Sequence, residues 1–167
     1  MSRRPVAEGM PMNRRDTTEE LSELVRKKLA NLTPCWASEV PVDGGALGSG
    51  IVDFMAFKPA TRGYPVMCEA ELERGLFYFV EVKSCLADFK SGHGLNFNGD
   101  QNWLVCERDM ADELREKRML PQNCTIFVPD APRKRLLQYI TLTPERAQRD
   151  HSVAFLLYQM MRRGIGS

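Results

Sequence analysis

The sequence predicts a single-domain α/β fold in which helices flank a central mixed sheet. Three observations carry this. A helix-periodic stretch opens the ordered part of the chain, short β-rich runs follow it, and helical patterns separate or succeed the later runs. The 167 residues, 43% hydrophobic and 27% charged, suit one domain with its own core and exclude coiled coil and wholesale disorder.

Residues 1–16 (MSRRPVAEGMPMNRRD) lack periodicity and read as a flexible basic arm, leaving 17–167 as the domain. Thr17 with Glu20 fits a capping box, and Leu21, Leu24, Val25, Lys28, Leu29 and Leu32 keep a helical period until Pro34. Trp36–Val42 alternates like a strand. Asp43-Gly44-Gly45 marks a turn, and Gly48–Gly50 precedes a second strand, Ile51–Phe57. Lys58–Gly75 reads as a hairpin excursion with an acidic segment at Glu69–Glu73, and Leu76–Lys83 (LFYFVEVK) is the strongest strand pattern. A helical turn at Ser84–Lys90, a Gly/Asn-rich loop at Ser91–Asp100 and a strand at Asn102–Cys106 come next. A helix from Asp109 to about Arg118, a strand at Cys124–Val128 and a further strand at Leu136–Leu142 follow. Thr143-Pro144-Glu145 starts a terminal helix reaching about Arg163, with Ala147, Ala154, Leu157, Tyr158 and Met161 as its docked face.

No apolar run approaches the ~18–20 residues of a membrane span, and the Arg-rich N-terminus lacks the apolar core of a signal peptide, so a soluble, cytoplasmic protein with no membrane partner is expected. The five cysteines have no close C-x-x-C spacing and His93 and His151 lie far apart, which disfavours zinc sites and disulfides. The net charge of +1 hides a pattern. Residues 1–16 carry +2, residues 133–167 carry +5, and residues 17–132 carry −6.

Two acidic residues sit inside apolar strand patterns, Asp53 in IVDFMAF and Glu81 in FVEVK. Glu81 and Lys83 share one face of their strand. A hairpin centred near residue 67 sets Asp53 opposite Glu81 without unusual register. Two carboxylates so placed repel, and a hard divalent cation such as Mg²⁺ or Mn²⁺ relieves the repulsion. A lysine two residues on can stabilise developing phosphate charge. The plain alternative is a solvated sheet face with a weak Glu–Lys pair.

Asp53 followed by Glu81-Val82-Lys83 on the next strand, after an opening helix, resembles the PD-(D/E)XK nuclease superfamily, and the element order is similar to its restriction-endonuclease-like core. The chain is most similar to MmcB-like DNA repair nucleases, through Ser38-Glu39-Val40, Ile51-Val52-Asp53-Phe54-Met55-Ala56, Val80-Glu81-Val82-Lys83-Ser84, Ala87-Asp88-Phe89 and the Trp103–Cys106 strand. The likeness spans about residues 17–163, with its distinctive motifs in 36–106. It implies Asp53 and Glu81 as Mg²⁺ ligands (Mn²⁺ as substitute), the Val82 carbonyl as a further ligand, and Lys83 as the catalytic lysine. Glu39 resembles an additional acidic catalytic residue, or is a rim carboxylate on an edge strand. Ser84 and Asp88 match the motif's following residues, and helix capping or local backbone bonding is their simpler reading. Val52 stands where the superfamily carries Pro, Gly48-Ser49-Gly50 replaces an Arg-rich approach, and residues 92–98 replace a Tyr/Trp-rich stretch.

Arg133-Lys134-Arg135 suits phosphate contacts, or is a solvated turn after Pro132. Arg162-Arg163 and the N-terminal arm add basic charge. His93, a loop histidine between glycines, is a weak candidate for phosphate contact or proton transfer. Trp36, Trp103, Phe77 and Phe79 fit core packing better than base stacking. The expected activity is metal-dependent hydrolysis of DNA in repair or processing. The alternatives are a nuclease fold that binds DNA or a protein without cutting, and a structural subunit, such as a homodimer, docked through the terminal helix.

Overall fold

Leu21, Leu24, Val25 and Leu29 recur at three- and four-residue spacing, and all four are buried beneath the first helix, α1 (Arg14–Leu32). The computed structural model describes residues 14–42, 50–61, 68–92, 94–142 and 149–166. The expected turn at 43–45, residues 48–49, the middle of the 58–75 excursion, His93 and the Thr143-Pro144-Glu145 start with Ala147 lie outside the described residues, as do residues 1–13. The helix begins at Arg14, three residues before the expected capping box. Glu20 does not close that box, because its carboxylate pairs with Arg133.

Six strands form one sheet in chain order: β1 (Trp36–Pro41), β2 (Ile51–Lys58), β3 (Leu76–Lys83), β4 (Gln101–Cys106), β5 (Thr125–Pro129) and β6 (Leu136–Thr141). β1, β2 and β3 run as an antiparallel meander, β3, β4 and β5 are parallel, and β6 returns antiparallel. The short helices α2 (Glu69–Glu73) and α3 (Leu86–Lys90) follow β2 and β3. α4 (Arg108–Glu116) links β4 to β5, and α5 (Val153–Arg163) ends the domain. The sheet is therefore mixed and carries helices on both faces, as the sequence predicts.

α1 packs on Phe54, Ala56, Val80, Val82, Trp103, Val105 and Phe127. The opposite face is shared. Val153, Leu156 and Met160 of α5 meet Met55, Phe57, Phe77 and Phe79, while Met110, Ala111 and Leu114 of α4 meet Leu104, Cys106, Ile126 and Val128. The docked face of α5 thus corrects the expected one. The helix starts at Val153 behind a Ser152 cap, and from there Leu156 and Met160 complete the stripe. Tyr158 and Met161, expected to dock, are exposed.

Because β3, β4 and β5 are parallel, their carboxyl ends share one edge of the sheet, and antiparallel β2 begins at that edge. In open α/β sheets such an edge is where ligand sites form. Among the described residues no helix is long and apolar enough to cross a membrane. All five cysteines are free thiols, and burial pushes Cys106 and Cys124 up to about 12.

Candidate functional site

The pairing of β2 with β3 runs from Lys58↔Leu76 to Phe54↔Val80, the register the sequence predicts, so Asp53 comes next opposite Glu81. The Val82 N–H donates to Asp53 Oδ2 at 2.8 Å, which ties that carboxylate to the end of β3. On the other side of β2, the β1 register passes from Ser38↔Phe54 to Val40↔Val52, and Glu39 between them has a φ of 50°. A non-glycine residue in the left-handed region marks local strain. Its effect is visible in the packing. Ala37 and Val40 share one core cluster, as do Val52 and Met55, although residues three apart in a regular strand face opposite ways. Both strands therefore change face at Glu39 and Asp53, where the candidate site begins.

Glu81 is fully buried. Its Oε1 accepts from the backbone N–H and the Nδ2 of Asn96, both at 3.3 Å. Among the described residues, its Oε2 is a buried atom with no hydrogen-bond partner, and so is Ser84 Oγ. Burial, reinforced by the Asp53 charge, raises the Glu81 carboxyl to about 9. Burial likewise raises Asp53, against the lowering effects of the Val82 N–H and the Lys83 charge. Two ionised carboxylates have only acceptors to offer each other. A proton on Glu81 removes one of the two like charges, and the pair titrates as a unit.

Lys83 is also buried, with 6% of its surface exposed. A Cβ placed on Gly94 would lie 3.2 Å from Lys83 Nζ and 3.3 Å from Glu81 Oε2. The ammonium and the unpartnered oxygen therefore both lie close beneath Gly94, which itself takes a φ of +67°.

A cleft of about 440 Å³ opens onto this group, walled by Ser22 and Arg26 of α1 and by Ser38, Glu39, Asp53, Lys83 and Asp88. Arg26 is held by Glu19 at 2.9 Å and by Glu23. Glu39 stands at the exposed rim and pairs with Arg163 of α5 rather than joining Asp53 and Glu81. Asp88 pairs with Arg14 at 3.2 Å. α3 is capped at Cys85 without a side-chain bond, so the capping reading of Ser84 and Asp88 is not met.

The basic cluster divides. Arg133 has a φ of 53° and clasps two carboxylates, Glu20 through Nε and Glu107 through both Nη atoms at 3.0 and 2.7 Å. This clasp joins α1, the residue after β4 and the β5–β6 turn, so Arg133 serves the architecture. Lys134 and Arg135 are exposed, and Arg135 rests on Asp130 at 3.2 Å.

Sequence reasoning missed Gly94, Asn96 and the Arg163 partner of Glu39. The available signal was the Gly/Asn-rich composition of residues 92–98, since asparagine and glycine supply the turns and short donors that reach a buried carboxylate.

Among the described residues no three His, Cys, Asp or Glu side chains gather as a metal cluster. The donor set is smaller: two carboxylates at a strand end, and a backbone carbonyl beside them. In a strand the N–H and C=O of one residue face the same side, so the Val82 carbonyl faces the β2 side, where its N–H meets Asp53. This set suits Mg²⁺ or Mn²⁺, which take one or two carboxylates and complete their shells with water and phosphate oxygens. The unpartnered Glu81 Oε2 is the observation that fits such an ion.

No protein-family model matches the chain, and no curated protein matches it. A solved structure does. The SPO1766 protein of unknown function from Silicibacter pomeroyi is similar at a TM-score of 0.54 with 18% identity, over 87% of this chain and 84% of that one. At this identity the likeness concerns the α/β fold alone.

Proposed function

We propose that this protein is a divalent-metal-dependent DNA endonuclease whose site is built on Asp53, Glu81 and Lys83. The observation that carries the reading is a carboxylate pair, Glu81 fully buried and Asp53 half-buried, with a buried lysine two residues beyond Glu81, at the carboxyl edge of the sheet, where Asp53 and Lys83 line a cleft. The PD-(D/E)XK-like motif on the same residues supports it. Asp53, Glu81 and the Val82 carbonyl would hold the metal. A bound Mg²⁺ or Mn²⁺ supplies Lewis-acid polarisation of a phosphate oxygen and lowers the pKa of coordinated water.

The chain's own residues do the rest. Asn96 orients Glu81 by two hydrogen bonds, and the Val82 N–H orients Asp53. Lys83 places its positive charge beside the carboxylate pair, where it offsets charge that develops on a phosphoryl group and holds a proton-bearing nitrogen toward the attacking water. Burial strengthens each of these electrostatic contacts relative to water. Glu39, held at the rim by Arg163, lies where an approaching strand would pass. DNA repair or processing is the setting this reading implies.

Incubation of the full chain with plasmid and with branched, mismatched and single-stranded DNA in Mg²⁺ or Mn²⁺ tests the proposal. Wild type is expected to cut at least one form. Asp53→Asn, which keeps an acceptor for Val82, should cut none, and Lys83→Ala should lose roughly 10²–10³-fold or more, both with unchanged melting cooperativity. No cutting of any form by wild type sinks the reading.

A further inference from the structure

A groove of about 720 Å³ runs between α1 and β6, away from the Asp53–Glu81 cleft. Its cations stand on both walls, Lys27 and Lys28 on α1, Lys134 and Arg135 at the start of β6, and among the described residues that line it there is no Asp or Glu. Its apolar floor includes Trp103 and Phe127. Lys28 Nζ lies 4.4 Å from the Phe127 ring centroid and 5.5 Å from that of Trp103, which holds the ammonium over the floor by cation–π attraction. Asp130 holds the base of the other wall. It accepts the Lys134 N–H at 2.7 Å and the Arg135 N–H at 3.1 Å, and pairs with the Arg135 guanidinium.

We infer that this groove seats one nucleic-acid strand by its phosphates. Four cations in one concavity on a chain whose residues 17–132 carry −6 form a local attraction for a polyanion that the net charge conceals. Two facing basic walls suit a single strand threaded between them, because its phosphates meet cations on either side. Glu19, Ser22 and Arg26 of α1 line the cleft, while Leu24, Lys27, Lys28 and Asn31 line the groove. At 100° per residue these sets lie on opposite flanks of the helix. A strand leaving the cleft therefore finds a basic track across α1. The choice of nucleic acid over other polyanions rests on the proposed nuclease reading. The groove itself rests on its own residues.

The test is fluorescence anisotropy of a labelled oligothymidylate against the full chain in EDTA, over a series of salt concentrations. Wild type is expected to bind with a steep salt dependence. The Lys27→Gln/Lys134→Gln pair should bind about tenfold more weakly, and its log–log salt slope should fall by about 1.4, two single-strand phosphate contacts' worth. Lys90→Gln/Lys117→Gln, outside the groove, should match wild type. All these substitutions are at exposed positions, and thermal melts check the fold. The groove assignment is overturned if the groove pair keeps wild-type affinity and slope, if the outside pair loses as much, or if polyglutamate displaces the strand as well as DNA does. The two readings separate cleanly. Binding lost in the groove pair, with no cutting by wild type in any metal, supports the groove and removes the nuclease. Unchanged binding, with cutting abolished by Asp53→Asn, does the reverse.

Discussion

Asp100 and Glu81 are both buried carboxylates, at opposite edges of the same sheet, and they have opposite surroundings. Asp100, just before β4, pairs with Arg149 at 2.8 Å and accepts the Phe77 N–H at 2.9 Å. Arg149 in turn donates to the carbonyls of Glu73 and Gly75 and lies 5.7 Å from the Phe77 ring centroid. Glu81 has two longer bonds from one asparagine, a like charge beside it, and an oxygen without a partner. A carboxylate whose burial is matched by a cation and an N–H holds the fold together. One buried beside a second carboxylate needs a proton or a cation from outside, and that need makes a site.

The difference can be broken from the structural side first, where the largest stability effect is expected. Asp100→Ala leaves the Arg149 guanidinium facing an apolar ring and frees the Phe77 N–H. Breaking a buried pair by removing one partner typically costs about 3–5 kcal/mol, and chemical denaturation should show a loss of that order. The loss should be the same with and without Mg²⁺. A metal-dependent loss would mean that the two edges of the sheet are not independent.

The same contrast explains what was legible in the sequence. Glu81 and Asp53 stand out because a charged residue inside an apolar strand pattern is anomalous, and strand register follows from counting once both strands are recognised. The mixed sheet with helices on both sides follows from the alternation of β-rich and helical runs. Asp100 and Arg149 give no signal, since 49 residues separate them; Asp100 ends a segment that reads as loop, and Arg149 falls inside the expected terminal helix. Arg133 looked like one of three equivalent surface cations. Its fate depends on Glu20 and Glu107, from α1 and from the end of β4, which only the tertiary fold brings together. The face of α5 was misread because its phase depends on where the helix starts, and Ser152 rather than Thr143 caps the described helix.

From the functional side, pH is the lever, with a smaller effect. The Glu81 carboxyl is raised from 4.5 to about 9 in the folded protein, so the native state holds a proton that the unfolded chain gives up. Its contribution is fully present below about pH 4.5 and is lost as pH rises toward 9. Metal-free protein should therefore melt at progressively lower temperature as pH rises through that window. Glu81→Gln should flatten the slope and be the more stable protein at pH 8–9, by on the order of 1–3 kcal/mol, the usual cost of a buried group left unsatisfied. Mg²⁺ or Mn²⁺ should raise the melting temperature of wild type more at pH 8 than at pH 6, because proton and cation compete for the same oxygens. Indifference to both ions at pH 8 would favour a binding protein that does not cut. A wild-type melting temperature that rises with pH over the same range would contradict the buried-pair account.

The smallest effect separates shape from charge at the same place. Gly94 combines a φ of +67° with a position at which any Cβ would press on Lys83 Nζ and Glu81 Oε2. Gly94→Ala adds the strain of a left-handed non-glycine residue, about 1 kcal/mol, and a methyl group 3.2 Å from a lysine tip that can shift aside. A modest loss of stability is therefore expected, with a larger proportional loss in the Mn²⁺-induced rise of the melting temperature, since the displaced groups are those beside the carboxylate pair. Equal losses in apo stability and metal response would reduce Gly94 to a turn residue. A stability loss alone would separate the loop from the site and leave Asn96 as the only described residue of segment 94–98 that positions Glu81.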